Sequence, residues 1–119
     1  MKRAPLRGEI WFIRFPTDPA DKAERPVVIV STDERNRHPR ANTVLVAPLS
    51  GSVEREMVTH IKLPSGETGL HPSCVRCEDL TVVRKESLVE PRQPLRTLSH
   101  ARICQIAERV LIAIGCPKL

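Results

Sequence analysis

An uninterrupted run of β-branched residues at positions 27–30, Val-Val-Ile-Val, restricts the fold of this chain more than any other segment. Such side chains favour extended backbone, and an apolar run without polar interruption is typical of a strand that is buried on both faces. Arg25 and Pro26 stand directly before the run, and proline is tolerated in a buried strand only at its start. The segment therefore predicts a strand that begins near Pro26 and needs apolar cover on two sides.

Several other short segments have the pattern of β-strands and are separated by polar, proline- or glycine-containing stretches. Residues 9–15 alternate, which places Trp11 and Ile13 on one face and Ile10 on the other. Further strands are predicted at residues 43–49, 58–63, 73–78 and 80–84, loops at 17–24 and 32–42, and a turn at 64–66. Residues 85–88 are expected to form one helical turn, followed by an extended piece punctuated by prolines.

The clearest helical pattern lies near the end of the sequence. Ser99 is the expected N-cap, Gly115 the residue that ends the helix, and Pro117 a stop beyond it. Apolar residues recur between them with the 3.6-residue period that marks a face packed on a core, namely Ile103, Ile106, Ala107, Val110, Leu111 and Ile114. The predicted architecture is a mostly antiparallel β-sheet or small open barrel, closed by a C-terminal helix.

The composition fits one globular domain that covers residues 1–119. Hydrophobic residues make up 40% of the chain, and the formal net charge of +5 suits a polyanionic partner such as nucleic acid. Aromatic residues are scarce, so charge and hydrogen bonding are expected to carry any contact with RNA. No export signal and no apolar run of bilayer length is visible. We therefore expect a cytoplasmic protein that makes no membrane contact.

The cysteines do not have the pattern of a metal site. Cys74 and Cys77 have C-x-x-C spacing, but on a strand residues three apart point to opposite faces. Cys104 and Cys116 have eleven residues between them, and this pair begins inside the predicted helix, which is not a standard zinc spacing. We expect free thiols and no bound metal.

Taken together, these segments resemble the MazF/PemK toxins of bacteria. The match runs in unbroken order through short motifs, namely Arg-Gly-Glu-Ile-Trp at 7–11, Arg-Pro-Val-Val-Ile-Val-Ser at 25–31, Val-Ala-Pro-Leu-Ser at 46–50, Gly-Leu-His-Pro-Ser-Cys-Val-Arg-Cys-Glu at 69–78 and Leu-Thr-Val-Val-Arg-Lys-Glu-Ser-Leu at 80–88. Each motif alone is weak, whereas their order and spacing together are specific.

The resemblance implies an SH3-like open β-barrel of the MazF/CcdB type, mainly β with α, closed by a C-terminal helix. It implies a homodimeric toxin of a type II toxin–antitoxin system, silenced by a cognate antitoxin protein. The implied activity is sequence-specific cleavage of single-stranded RNA without metal or cofactor. In that reaction the ribose 2′-OH attacks the adjacent phosphate and leaves a 2′,3′-cyclic phosphate and a 5′-OH.

Carried over residue by residue, the family's catalytic pair is Arg25 and Ser50. Two departures matter: relatives more often have Thr where Ser50 stands, and the loop at 18–24 differs from theirs and is shorter. The hydroxyl is kept, so the loop change bears on the cleavage sequence more than on activity. Without the resemblance, we would interpret Arg25 as a solvated charge at a strand end and Ser50 as a turn residue.

The residue chemistry agrees with these roles. The forked guanidinium of Arg25 suits the oxygens of a pentavalent phosphorane, and its high pKa makes it a poor proton shuttle. Ser50 would position the phosphate. Further candidates for catalysis or orientation are His60, which can act as a base near neutral pH, the carboxylates Glu24 and Glu78, and Ser52, whose hydroxyl lies two residues beyond Ser50. Each of them also has a plain surface interpretation.

Arg35, Arg37 and Arg40 bring three cations into one predicted loop, and Lys62 adds a fourth on a strand. We expect these residues to bind the RNA backbone, although a solvated surface has the same composition. Two functions of other classes stay open. One is a gyrase poison of the CcdB kind, which binds a protein and cuts nothing. The other is a catalytically inactive relative that binds RNA without cleaving it.

Overall fold

The computed structural model of the chain describes residues 3–14, 19, 24–51, 57–93 and 95–115. The strands are β1 (Ile10–Ile13), β2 (Arg25–Ile29), β3 (Thr43–Ser50), β4 (His60–Leu63), β5 (Ser73–Arg76), β6 (Thr81–Arg84) and β7 (Leu88–Val89). The α-helices are α1 (Asp33–Arg37), α2 (Ser65–Thr68) and α3 (His100–Ile114), and single 3-10 turns cover Cys77–Asp79 and Lys85–Ser87. Within the described ranges, no helix is both long and apolar enough to cross a membrane.

The strands form one antiparallel sheet in the order β4-β5-β3-β2-β1-β7. The eight-residue strand β3 lies at its centre. One edge of β3 pairs with β2, whereas its other edge is shared by β6 along the first half and by β5 at Leu49 and Ser50. The prediction of a mainly antiparallel β fold with a C-terminal helix is therefore confirmed.

Apolar residues cover both faces of β2, as its β-branched run requires. Val28 points into a core cluster with Ile10 and Ala47, and the α3 residues Ile103 and Ile106 pack there. Val27 and Ile29 point the other way, into a cluster with Trp11, Val46 and Leu88. The sheet therefore has a helix side and an opposite side, each with its own core.

Several elements differ from those that the sequence predicts. The predicted loop at 32–42 contains α1, which begins because the Thr32 hydroxyl accepts a hydrogen bond from the Arg35 amide at 3.3 Å. The predicted turn at 64–66 leads into the one-turn helix α2, and the extended piece after residue 87 begins with β7. Strand β5 ends at Arg76, two residues before the predicted end.

Helix α3 has the predicted ends but a shorter buried face. The Ser99 hydroxyl accepts from the Arg102 amide at 3.2 Å, and Gly115 ends the helix at a φ of 76°. Leu111 and Ile114, which the periodicity assigns to the core, are 53% and 71% exposed. Phe15, Ser52, Cys116 and Pro117 lie outside the described residues.

Candidate active site on the sheet face opposite the C-terminal helix

The β2–β3 register brings the two expected catalytic residues to one place. Val27 pairs with Pro48 and Val28 with Ala47. Continuing this register by two residues sets Arg25 opposite Ser50. Side chains directly opposite each other in an antiparallel pair leave the same face, with Cβ atoms about 5 Å apart. Arg25 begins β2 and is exposed, and Ser50 ends β3 and is half-buried, so both are placed where solvent reaches them.

The same row of residues continues across the sheet. Ser50 pairs with Cys74 in β5, and Cys74 pairs with Lys62 in β4. Their neighbours Leu49, Val75 and Ile61 point into the core on the α3 side. Since successive residues of a strand point to opposite faces, the row lies on the face turned away from α3. We name Arg25, Ser50, Cys74 and Lys62 the cleavage row.

A second row of polar residues lies beside the first on this face. His60 pairs with Arg76, each two residues from a member of the cleavage row. The Nε2 atom of His60 is 2.5 Å from Oε1 of Glu78, which sits in the 3-10 turn after β5. This hydrogen bond from His60 lowers the pKa of the Glu78 carboxyl. Arg76 Nε also bonds Asp79 Oδ2 at 3.1 Å.

Arg76 and Cys74 are the members of this site that sequence reasoning missed. Their position follows from the alternation of β5, in which Val75 faces the core and its two neighbours face the other way. The alternation alone therefore predicts that Arg76 is a charged residue on the face turned away from the core. It does not predict that Arg76 lies near Ser50, because the pairing of β5 with β3 joins segments far apart in sequence.

The two thiols of the C-x-x-C segment diverge in the structure. Cys74 lies in the cleavage row, whereas Cys77 packs in the core on the α3 side. Burial raises the pKa of the Cys74 thiol, and it raises that of Cys77 to about 11. Both thiols are therefore protonated at neutral pH and are poor nucleophiles. Among the described residues, no three His, Cys, Asp or Glu side chains form a cluster that could hold a metal ion.

The expected RNA-binding arginines lie at the other end of β2. Helix α1 begins four residues after the end of β2, and that end of β2 is about 13 Å along the strand from Arg25. The guanidinium of Arg35 is engaged within the protein, because it donates to the carbonyl of Thr43 at 2.6 Å and to its hydroxyl at 3.0 Å. Arg37 and Arg40 are exposed. The predicted cationic loop is thus split into one structural and two surface arginines.

Of the remaining candidates, Lys62 is exposed within the cleavage row, and Glu24 is exposed directly before Arg25. The structure therefore places Arg25, Ser50, Lys62, His60 and Glu78 on one face of the sheet. Arg25 lies opposite Ser50, Lys62 lies two strands beyond Ser50, and α1 follows the other end of β2.

Comparison with known proteins gives the context for this geometry. An endoribonuclease from a mycobacterial species, solved with its cognate antitoxin, superposes with a TM-score of 0.73 at 23% identity, covering 98% of this chain and 100% of that one. The Mycobacterium tuberculosis toxin MazF-mt6 gives 0.71 at 22% identity, covering 92% and 99%. A MazE–MazF complex from Deinococcus radiodurans gives 0.76 at 14% identity, covering 97% and 100%.

These likenesses show a shared fold. No curated protein matches the sequence. The model of the family described as PemK-like, MazF-like toxin of type II toxin–antitoxin system matches residues 6–114. Because that match spans nearly the whole chain, this protein belongs to the family of PemK-like and MazF-like toxins of type II toxin–antitoxin systems.

Proposed function

We propose that this toxin is a metal-independent endoribonuclease of the cytoplasm that cuts single-stranded RNA at specific short sequences. The products are a 2′,3′-cyclic phosphate and a 5′-OH. The observation that carries the proposal is the register that sets Arg25 opposite Ser50 on a face that also presents Lys62 and Arg76. The endoribonuclease described for the mycobacterial relative has the same fold, which supports the assignment.

The reaction needs positive charge around the phosphorane that forms when the 2′-OH attacks. The guanidinium of Arg25 supplies forked donors to two phosphate oxygens, and the Ser50 hydroxyl supplies a third, shorter contact that fixes the phosphate. Arg76 adds charge from β5, which pairs with β3, and Lys62 adds charge from β4, one strand further. Because these donors are already in place before the reaction, they stabilise the charge of the transition state more than that of the ground state. Because the 2′-OH of the RNA is the nucleophile, the reaction needs no metal-activated water. The cationic side chains of the protein therefore suffice to stabilise the developing charge.

Proton transfer is assigned to the pair formed by His60 and Glu78. Imidazole is the side chain best suited to exchange a proton near neutral pH, and the Glu78 carboxylate holds the Nε2 side of the ring at 2.5 Å. His60 acts as the base for the 2′-OH or as the donor to the leaving 5′ oxygen, with Glu78 orienting it. Glu24, next to Arg25, is the competing base. Loss of the pH dependence of cleavage in His60→Gln, but not in Glu24→Gln, would support this assignment.

We also propose a symmetric homodimer that joins through the end of α3. Leu111, Ile112 and Ile114 expose large apolar side chains there. Val58, which is 60% exposed, lies beside the same helix, because Arg109 donates a hydrogen bond to its carbonyl. Exposed apolar surface of this kind marks protein contacts. The second partner is a cognate antitoxin protein, as in the complexes of the mycobacterial and Deinococcus proteins.

Incubation of the purified protein with a mixed-sequence RNA in excess chelator tests the function directly. Mapped fragments should carry 5′-OH ends and cyclic phosphates at a recurring short sequence. Cleavage that stops with EDTA and returns with a divalent metal contradicts the mechanism. Binding of RNA without cleavage would point to an inactive relative, and inhibition of DNA gyrase without RNA cleavage would point to a CcdB-like poison.

A further inference from the structure

A buried hydroxyl without a partner lies directly beside the pair formed by His60 and Glu78. Thr59 precedes β4 and is only 6% exposed, and its Oγ1 atom has no hydrogen-bond partner among the described residues. In the described part of the chain, the Nε atom of Arg109 is the one other buried side-chain polar atom that lacks a partner. Buried polar atoms are nearly always paired, so an unpaired hydroxyl next to a proposed catalytic pair calls for an explanation.

The backbone holds Thr59 close to Glu78 from two directions. The Cys77 amide, one residue before Glu78, donates to the Thr59 carbonyl at 3.1 Å. The residue after Thr59 is His60, whose Nε2 atom is 2.5 Å from Oε1 of Glu78. The hydrogen bond from His60 is the main cause of the lowered pKa of the Glu78 carboxyl, and the Thr59 hydroxyl lowers this pKa further. Thr59 therefore lies within reach of the carboxylate that contacts His60.

The turn that carries Thr59 is fixed by other groups of the protein. Arg109 of α3 donates to the carbonyl of Val58, the residue before Thr59. The His60 amide donates to the Met57 carbonyl at 2.9 Å and closes the turn. Because the backbone holds the residue in place, the hydroxyl proton of Thr59 stays available for an acceptor.

The Glu78 carboxylate can accept such a proton. It has two oxygens, and the contact with His60 occupies one face of one of them. Arg76, the other cation that acts on this carboxyl, is bonded to Asp79 at 3.1 Å. The Glu78 side chain is 27% exposed, so water reaches it in the free protein. An RNA bound over this face excludes that water, and the carboxylate then needs a protein donor in its place.

We propose that Thr59 is a positioning residue for RNA cleavage: in the RNA-bound protein its hydroxyl donates to the Glu78 carboxylate and fixes that carboxylate against His60. The inference rests on the proposed function. Hydrogen bonds of a catalytic site are often long in the free protein and shorten when substrate is bound, which accounts for the unpaired hydroxyl. Because its side chain is buried, Thr59 acts on the RNA only through Glu78.

Thr59→Val removes the hydroxyl and keeps the shape of the side chain. Single-turnover cleavage should become about tenfold slower, in the range of a lost hydrogen bond to a charged group. Binding of the same RNA, blocked by a 2′-deoxy sugar at the cut site, should be unchanged. Thr59→Ser keeps the hydroxyl and should keep the rate. Thr68→Val is the matched control, because Thr68 is also buried and its hydroxyl accepts from the Leu70 amide in and after α2. It should lower stability without changing the rate.

A double-mutant cycle distinguishes positioning from a general effect on structure. Because the hydroxyl acts through the carboxylate, Thr59→Val should have no further effect on the cleavage rate when it is added to Glu78→Gln. Rate losses that multiply in the double variant would overturn the inference. Thermal melts show whether each variant is folded, and Thr59→Ala replaces Thr59→Val if the latter is not.

The ionisation of Glu78 supplies a readout that does not depend on cleavage. Its carboxyl carbon resonance is assigned by its absence from Glu78→Gln. In Thr59→Val this resonance should titrate at higher pH than in wild type, because a donor to the ionised carboxylate has been lost. In Thr59→Ser it should titrate as in wild type.

The outcomes separate this inference from the proposed function. If the wild-type protein cuts RNA and a folded Thr59→Val cuts it equally fast, the positioning role is refuted and the nuclease stands. If Thr59→Val is slow but its Glu78 titrates as in wild type, the side chain contributes packing alone and the inference is wrong. If the wild-type protein does not cut RNA, the proposed function fails, and the role of Thr59 in cleavage fails with it.

Discussion

Ser50 carries the clearest prediction for a single atom, because its hydroxyl is the part of the catalytic pair that can be removed without removing charge. Ser50→Ala should slow single-turnover cleavage by about 10- to 100-fold, the range of a lost hydrogen bond to a charged group. Ser50→Thr keeps the hydroxyl and should keep activity. Ser52→Ala is the control. Should Ser52→Ala be the damaging change while Ser50→Ala cuts normally, the assignment is displaced by two residues.

The two kinds of arginine in and after α1 should respond differently to the same substitution. Arg35→Gln removes hydrogen bonds from the guanidinium to Thr43 and should lower the free energy of unfolding by about 1–2 kcal/mol in urea titrations. Arg40→Gln removes an exposed charge and should leave stability unchanged while weakening RNA binding at low salt. Equal stability of both variants would contradict the structural role of Arg35.

The hydrogen bond between His60 and Glu78 predicts a pH dependence of stability. The pKa of the Glu78 carboxyl is lower in the folded protein than in the unfolded chain. Its contribution is therefore fully present above the ordinary carboxyl pKa, about 4.3, and is lost as the pH falls through the lower folded value. Glu78→Gln should melt below wild type at pH 7, and the difference should shrink toward about pH 3.

Glu34→Gln, an exposed carboxylate of α1, is the control for this experiment. A melting-temperature difference between Glu78→Gln and wild type that stays constant from pH 7 to acid would show that the ionised carboxylate contributes nothing specific.

For single residues, the sequence predicted which residues belong to the site better than it predicted the contacts that they make. The motifs placed Arg25 and Ser50 at strand ends, and the register then set them opposite each other. The hydrogen bond from the Arg35 guanidinium to the Thr43 carbonyl could not be predicted, because an acceptor eight residues away leaves no local sequence pattern. Arg76 was missed for a similar reason, since its position near the expected catalytic residues depends on which strand β5 pairs with.

Among the elements, the end of helix α3 carries a prediction about assembly. Leu111→Glu with Ile114→Glu places charges on the exposed apolar surface and should convert a dimer into a 13.4 kDa monomer in light scattering, with the helix content unchanged. Val82→Glu is the matched control, because Val82 is 55% exposed on β6 and outside this surface. A wild-type protein that is monomeric at micromolar concentration and still cuts RNA would contradict the dimer.

Elements with a strong apolar pattern were predictable and those without one were not. Helix α3 has fifteen residues that agree on one period, and β2 lies in an uninterrupted β-branched run, so the type and position of both followed from the sequence. Helix α1 has five residues and is held by the Thr32 cap and by Arg35, which leaves no apolar period to detect. The period of α3 also assigned Leu111 to a core, because periodicity shows which face is apolar and not what covers it.

For the molecule as a whole, the architecture was predicted because apolar runs and turns agree with one sheet and one covering helix. The order of the strands was not predicted, since pairings such as β3 with β6 join residues far apart in the chain. The site depends on that order. A face opposite α3 that carries Arg25, Ser50, Lys62 and Arg76 exists only because β2, β3, β5 and β4 lie side by side.

The central claim is that Arg25 stabilises the transition state of metal-free RNA cleavage at this face. Single-turnover cleavage of one RNA in excess EDTA, by wild type, Arg25→Ala and Arg25→Lys, tests it most directly. Wild type should cut at full rate, and Arg25→Ala should be slower by about 10²- to 10³-fold, as for a lost oxyanion donor. Arg25→Lys should recover little, because a point charge lacks the forked geometry. A folded Arg25→Ala that cuts at the wild-type rate would contradict the account.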